Sequence, residues 1–112
     1  MKKELLIHWT TDNLDTSMNM VLLYAYNAKK KGLWDEITLL VWGASQKLVL
    51  NNKEVQEKLK EINDVGVRII ACEQCAKDLN TTDALNSCSI EVFATGMFLT
   101  TWLQSNKPML SV

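Results

Sequence analysis

Two cysteines separated by two residues, Cys72 and Cys75, have the clearest capacity for chemistry in this sequence. Cys72 follows the apolar run Val67–Ala71, which is typical of a buried strand, and the residues after it have a helical pattern. A thiol at such a junction faces the free backbone N–H groups at the beginning of the helix, and these groups stabilise a thiolate. The spacing also places both sulfur atoms on one helical face, where they can pair or exchange. The sequence therefore predicts a reactive sulfur site at Cys72 and Cys75.

Two other interpretations of the cysteine pair remain open. The first is structural, with two small, partly buried cysteines at a strand–helix junction. The second is a dithiol oxidoreductase, for which the pattern is less typical. Thioredoxin-like cysteine pairs usually follow an early strand and often enclose proline or glycine, whereas this pair follows the third predicted strand. The carboxylate of Glu73, which lies between the thiols, also opposes formation of a thiolate.

A metal site is not expected, although the sequence contains enough ligand types for one. Cys72, Cys75, Cys88 and His8 would make four zinc ligands, but structural zinc sites usually combine two closely spaced ligand pairs. His8 lies inside a predicted strand and is interpreted as a hydrogen-bonded strand residue, and Cys88 is interpreted as a buried structural thiol. No glycine-rich phosphate-binding motif follows the first strand. We therefore expect neither a metal nor another cofactor.

Five apolar runs alternate with helical patterns along the chain, and these elements must position the cysteines. The predicted strands are residues 4–9, 36–42, 67–71, 89–94 and 108–112. Apolar stripes at helical spacing lie between them, with Asp15, Ser45 and Asn52 as predicted N-caps. Glu54 and Lys58 are predicted to form an ion pair on one of these helices. The alternation predicts an α/β fold of three layers, in which about five mostly parallel strands have helices on both faces.

Ligands of parallel sheets bind beyond the carboxyl ends of the strands. Four such ends are predicted, at residues 9–12, 42–45, 72–75 and 95–96. Beside the cysteines, these ends contribute four candidate pocket residues, which are Thr11, Asp12, Trp42 and Gly43. Capping of the first helix is the competing role for Thr11 and Asp12, as it is for Thr10 and Asn13 beside them. Core packing is the competing role for Trp42 and for Trp9.

Length and charge limit the function further. The chain has 112 residues, the size of one domain, and residues 1–112 are treated as a single unit. Its 12 basic and 13 acidic residues leave a net charge of -1, so the electrostatic basis for nucleic-acid binding is missing. The apolar runs are much shorter than the roughly 18–20 residues of a membrane span, and no secretion signal is recognised. We therefore expect a cytoplasmic protein that binds neither nucleic acid nor a membrane.

Several segments together resemble the DsrE/DsrF-like (DsrEFH) family. The segment Ile70–Leu79 is similar to the ACxxC junction of many members. Further similarities, in the same order along the chain, are found in residues 10–13, 41–45 and 65–67, around Gly96 and in the short final strand. The resemblance covers nearly the whole chain, and it depends on the order and spacing of these segments rather than on any one of them.

The resemblance implies a flavodoxin-like fold and assembly into homo-oligomers, often trimers or hexamers. In the DsrE and TusD types, a cysteine at the end of the third strand accepts sulfur as a persulfide and passes it to a partner protein. Cys72 matches that cysteine, and Cys75 matches a second cysteine of small stand-alone members. In the sulfur-relay members, small residues and arginines follow the cysteine, whereas here the stretch reads Glu-Gln-Cys-Ala-Lys-Asp-Leu.

We therefore expect a small sulfur carrier, or a sulfur-transfer accessory, that works with a sulfur donor or acceptor protein. Cys72 is the expected acceptor. Cys75 either releases the sulfur by attacking Cys72 or supports the site through a hydrogen bond. The alternative is a module that binds a small ligand or a protein in the crevice at the strand ends, with structural cysteines.

Overall fold

Five short strands pair into one sheet in the computed structural model, which describes residues 2–112. The strands are β1 (Glu4–Trp9), β2 (Glu36–Val41), β3 (Arg68–Cys72), β4 (Glu91–Phe93) and β5 (Met109–Ser111). Their order across the sheet is β4-β3-β2-β1-β5, and every neighbouring pair is parallel. The predicted α/β class is confirmed. The first strand has its predicted bounds, whereas the fourth is shorter than predicted.

Helical segments connect these strands. They are α1 (Leu14–Thr16), a π-helical turn (Ser17–Val21), α2 (Leu22–Lys30), α3 (Ser45–Asn51), α4 (Lys53–Asp64), α5 (Glu73–Leu79), α6 (Thr82–Ser87) and α7 (Gly96–Gln104). Among the helices that the structure describes, none has the length and apolar character needed to cross a bilayer.

The direction of each connection decides which face of the sheet its helices cover. From β1 to β4 the chain crosses the sheet one strand at a time in a single direction, and right-handed crossovers therefore place the intervening helices on one face. From β4 the chain returns past β1 to β5, so α7 lies on the opposite face. The larger core includes residues of α2, α4 and α6, namely Leu22, Leu59 and Leu85. The smaller core, on the α7 side, consists of Leu6, Leu40, Ile70 and Trp102.

Strands β3 and β4 lie side by side, yet their chains leave the sheet toward opposite faces. After β3 the chain enters α5, whose Ala76 packs in the larger core, and after β4 it enters α7 on the other face. Where neighbouring strands diverge in this way, a crevice opens beyond their carboxyl ends. Cys72 ends β3 at this crevice, opposite Phe93, the last residue of β4. The topology therefore brings the predicted reactive cysteine to the crevice.

Hydrogen bonds confirm one of the predicted helix caps and correct two others. The first helix is capped by Asn13, as the sequence allowed, and not by Asp15, because the Asn13 side chain accepts the N–H of Thr16 at 2.8 Å. Asp15 lies within the first turn instead, where its charge suits the helix dipole. Ser45 does not cap α3, because its hydroxyl donates to the carbonyl oxygen of Trp9 at 2.7 Å. That bond ties the beginning of α3 to the end of β1.

Helix α4 begins as predicted but forms a different ion pair. The Asn52 side chain accepts a first-turn N–H at 3.0 Å, which confirms it as the N-cap. Lys58 pairs with Glu61 at 3.2 Å, rather than with Glu54. The Lys58 ammonium also lies 4.2 Å from the ring centroid of Tyr26 on α2. The ring attracts the ammonium group, and Lys58 therefore has two partners other than Glu54.

Candidate functional site

Cys72 occupies the junction between β3 and α5, as the last residue of the strand and the N-cap of the helix. Its side chain is only 7% exposed, and it lines a cavity of about 370 Å³ at the crevice. Trp42 lines this cavity from the end of β2, and Thr95 and Gly96 line it from the beginning of α7. The thiol is therefore largely covered by protein while it borders a space that holds more than one added sulfur atom.

A buried amide holds the backbone of Cys72 in place. Nε2 of Gln46 donates to the carbonyl oxygen of Cys72 at 3.1 Å and to that of Val41, the last residue of β2, at 3.3 Å. Oε1 of Gln46 accepts the hydroxyl hydrogen of Thr81 at 2.7 Å, and both side chains are buried. Buried polar groups that satisfy one another favour a single backbone arrangement. The network therefore joins the ends of β2 and β3 and sets the position of Cys72.

The thiol of Cys75 interacts with that of Cys72, and its environment keeps it protonated. Burial raises the pKa of the Cys75 thiol, and a hydrogen bond with Cys72 raises it further. The backbone N–H of Gly43 opposes this shift, because it favours the thiolate. Both cysteines are free. At neutral pH, Cys75 is therefore a thiol that can donate its S–H to the sulfur of Cys72.

The two thiols border different spaces. Cys75 lines a depression of about 260 Å³ together with Gly43 and Lys47, and none of the residues around it also lines the Cys72 cavity. A reagent that enters beside Trp42 therefore meets Cys72 rather than Cys75.

The charged residues at the Cys72 cavity balance each other. Glu73 and Lys77 both line this cavity. They lie one turn apart on α5 and form an ion pair at 3.0 Å. The carboxylate of Glu73 was expected to oppose a thiolate, and the ammonium of Lys77 offsets that repulsion. The pair therefore contributes no net charge at this cavity.

The sequence profile of the DsrE/DsrF-like family matches residues 6–108. The chain belongs to this family. The resemblance read from its segments is thereby confirmed. A comparison with curated proteins gives no match.

Three solved structures are similar to this DsrE/DsrF-like chain. BT1422 from Bacteroides thetaiotaomicron, described as a conserved protein of unknown function, has 38% sequence identity and a TM-score of 0.96, with 98% of this chain and 95% of that chain covered. The ychN protein from E. coli has 14% identity, a TM-score of 0.72 and complete coverage of both chains (100% each). MTH1491 from Methanobacterium thermoautotrophicum, of unknown function, has 16% identity and a TM-score of 0.73, with 97% and 98% covered. The last two show the shared fold.

Of the four candidate pocket residues, Trp42 and Gly43 lie beside the cysteines, whereas Thr11 and Asp12 line neither cysteine cavity. The hydroxyl of Thr11 accepts the N–H of Asn13 at 3.1 Å and so stabilises the loop before α1. Asp12 is exposed in the same loop. The end of β1 therefore lies with the carboxyl ends of the other strands, as predicted. The loop that follows it stabilises the beginning of the first helix and lines neither cysteine cavity.

Three further residues singled out in the sequence belong to the sheet or the core. Trp9 is buried in the larger core, and its indole N–H donates to Ser17 at 3.0 Å. Cys88 is buried in the same core. Nδ1 of His8 is hydrogen-bonded to Ser111 at 3.0 Å, but Nε2 is buried without a partner in residues 2–112, so His8 is only half satisfied. Burial lowers the pKa of His8 and keeps the ring neutral.

Sequence reasoning gave no role to three residues around Cys72, namely Gln46, Thr81 and Thr95, although Thr95 lies at one of the predicted strand ends. Each is a neutral polar residue that belongs to no spacing motif. The signal that was available is position, because Gln46 and Thr95 follow the ends of β2 and β4. Nowhere in residues 2–112 do three His, Cys, Asp or Glu side chains gather in a group that could hold a metal ion.

Replacement of Gln46 should destabilise the fold. Gln46→Leu leaves the Thr81 hydroxyl and two buried carbonyl oxygens without their partner, and we expect a loss of roughly 2–4 kcal/mol in the free energy of unfolding. Thr81→Val combined with Gln46→Leu should cost less than the sum of the single changes, because it removes a group that the first change leaves unsatisfied. Urea unfolding measures both effects.

Gln56→Leu is the matched control for this change. It removes one hydrogen bond, from Gln56 to the carbonyl oxygen of Val49 at 2.7 Å, and should cost about 1 kcal/mol. A Gln46→Leu variant that is no less stable than Gln56→Leu would contradict the role assigned to the buried network.

The alkylation of Cys75 should require a higher pH than that of a free cysteine. Burial and the hydrogen bond to Cys72 raise the pKa of its thiol, and only the thiolate reacts. The rate of iodoacetamide modification, followed by peptide mass spectrometry against pH, should show a midpoint above that of a cysteine peptide. Cys72→Ala should lower this midpoint only in part, since burial is the larger cause. A wild-type midpoint at or below the peptide value would refute the assignment.

Proposed function

We propose that this DsrE/DsrF-like protein carries sulfur as a persulfide on Cys72. The observation that supports the proposal most strongly is the position of Cys72, which borders the crevice cavity, whereas Cys75 borders a separate depression. Cys72 also lies at the beginning of α5, at the end of β3. Cys72 is thereby placed to attack a sulfur donor, while the crevice leaves room for the sulfur that it gains.

The transfer is an exchange at a sulfur–sulfur bond and needs no oxidant. The Cys72 thiolate attacks the outer sulfur of a donor persulfide, R–S–SH, and a new S–S bond forms on Cys72. The S–S bond of the donor breaks, and its electron pair leaves with the donor thiolate. The products are Cys72–S–SH and R–S⁻, so charge and oxidation level are conserved. Attack on the outer sulfur by an acceptor thiolate reverses these steps and unloads the carrier.

Cys75 supports the site in this proposal rather than releasing the sulfur. Release by Cys75 would require its thiolate to attack Cys72, with HS⁻ leaving and a disulfide remaining. The raised pKa of Cys75 works against that thiolate. A donated S–H needs no such ionisation. The proposed partners are therefore a sulfur donor protein and an acceptor thiol outside the chain.

Sulfur uptake is tested by intact-mass spectrometry after incubation with sodium polysulfide. Wild type should gain one sulfur atom that a reductant removes, and Cys72→Ser should not. Cys75→Ser should retain the gain, because a hydroxyl can also donate a hydrogen bond, and Cys75→Ala should load more slowly. Cys88→Ser is the matched control, because Cys88 is buried in the larger core away from the cavities.

Each other result of this test identifies an alternative. Loss of the adduct in Cys75→Ser alone would assign the acceptor to Cys75. A reversible disulfide between Cys72 and Cys75, with no sulfur adduct, would favour the dithiol oxidoreductase that the interacting thiols also permit. No adduct and no alkylation in the folded protein would leave a binding module with structural cysteines.

We also propose that copies of the chain assemble, as a trimer or a hexamer, through the face that α7 covers. A five-stranded sheet is about 20 Å wide and a helix about 10 Å, so one helix covers about half of this face. Met97 and Leu103 of α7 are 73% and 50% exposed. A depression of about 650 Å³ beside α7 is lined in part by Met97 and Phe98. A second copy that packs against α7 would bury the exposed side chains of Met97 and Leu103.

Sedimentation equilibrium tests the assembly. Wild type should have the mass of an oligomer, and Met97→Glu combined with Leu103→Glu should have a lower mass, because the carboxylates would be buried without partners. Leu33→Glu is the control, since Leu33 is 54% exposed but lies in the turn after α2. A monomeric wild type, or an equal effect of the control, would contradict this interface.

A further inference from the structure

Thr95 lies between β4 and α7 and carries a buried hydroxyl without a hydrogen-bond partner. The side chain is completely buried, with 0% exposure, and Oγ1 has neither a donor nor an acceptor among residues 2–112. Native proteins leave few buried hydroxyl groups in this state, because each costs free energy. Thr95 also lines the cavity of Cys72. The side chain that carries the free hydroxyl therefore borders the crevice cavity.

The beginning of α7 is uncapped at the same place. A threonine before a helix usually accepts a first-turn N–H through its hydroxyl. Thr95 has helical backbone angles, with φ -82° and ψ -3°, and its side chain forms no such bond. The first helical bond runs from the N–H of Leu99 to the carbonyl oxygen of Thr95 at 2.9 Å, so the N–H groups of Gly96 and Met97 precede the ladder. The unused N–H donors therefore lie at the positive end of the α7 helix dipole.

The approach to these donors is open. Gly96 is exposed, and no heavy atom lies within 4 Å of the position that a Cβ atom would take. Helix α7 has nine residues, enough for a dipole along its axis. The nearby charges of Glu73 and Lys77 are already paired. A hydrogen-bond acceptor at the beginning of α7 would therefore be bound by the Thr95 hydroxyl and the backbone N–H groups rather than by a free cation.

We propose that Thr95 and the first N–H groups of α7 form an anion-binding corner for the outer sulfur of a persulfide on Cys72. Cys72 and Thr95 border one cavity, and the strand partner of Cys72 is Phe93, two residues before Thr95. The outer sulfur lies about 2 Å beyond the cysteine sulfur. Because it is tethered to Cys72, the outer sulfur stays within the cavity that Thr95 also lines.

The anion-binding corner extends the proposed function. That its ligand is a persulfide rests on that function. The donors favour the persulfide anion over the neutral persulfide and orient the outer sulfur. The unpartnered hydroxyl and the uncapped helix belong to the unloaded protein, so the corner can be tested without any sulfur transfer.

Two alkylating reagents of nearly equal size test the corner. Iodoacetate carries a carboxylate, whereas iodoacetamide is neutral, and both react with the Cys72 thiolate. The rate with iodoacetate divided by the rate with iodoacetamide, measured at Cys72 by peptide mass spectrometry, should exceed the same ratio for a cysteine peptide. Thr95→Val should lower this ratio about tenfold, the effect of one hydrogen bond to a charged group, and Thr95→Ser should restore it.

Protein loaded with sodium polysulfide provides the second arm. Ionisation of the persulfide is followed by the near-ultraviolet absorbance of its anion. The pH midpoint of this ionisation should be higher in Thr95→Val than in wild type, and Thr95→Ser should restore the wild-type midpoint. The thermal midpoint of unfolding should not fall in Thr95→Val, because the hydroxyl has no partner to lose. A purely structural role predicts the reverse pattern, with reduced stability and unchanged rate ratios.

The outcomes separate this inference from the proposed function. A rate ratio that Thr95→Val does not change, or a Cys72 that neither reagent reaches in the folded protein, overturns the anion corner even if sulfur is loaded. A ratio that depends on Thr95 in a protein that takes up no sulfur supports the corner and overturns the sulfur carrier.

Discussion

The handedness of the crossover connections is the constraint on which this structure depends. Three connections move across the sheet in one direction, and the last returns in the other, so a right-handed crossover can place only α7 on the second face. Two properties follow from this single fact. The chains leaving β3 and β4 diverge and open a crevice at Cys72, and the second face of the sheet keeps an incomplete cover. The proposed sulfur site and the proposed interface between copies therefore have a common topological origin.

Within the crevice, neighbouring groups of the same type differ because their surroundings differ. Cys75 is held as a thiol by burial and by Cys72, while Cys72 borders the cavity and has its backbone fixed by Gln46. The same contrast separates two hydroxyl groups. That of Thr81 is satisfied by Gln46, and that of Thr95 is not satisfied within the described chain. A satisfied buried group stabilises the fold, whereas an unsatisfied one on a residue that borders a cavity is available for a ligand.

Much of the framework could be predicted from the sequence, because apolar runs and helical stripes report burial directly. The parallel sheet and the position of Cys72 at the end of β3 follow from that pattern and are confirmed. The strand order and the uneven cover of the two faces depend on connections between distant elements, which local patterns do not encode. The partners of Gln46 and Thr11 were missed for the same reason, since a neutral polar side chain carries no sign of whether it will meet a buried carbonyl or a neighbouring loop.

The most direct test of the account is the crystal structure of the protein after loading with sodium polysulfide. The account predicts one additional sulfur atom, bonded to Sγ of Cys72, within hydrogen-bond distance of the Thr95 hydroxyl and directed at the beginning of α7. Cys75 should remain an unmodified thiol beside it. An added sulfur on Cys75 or Cys88, or one on Cys72 that points away from Thr95 into solvent, would contradict the account.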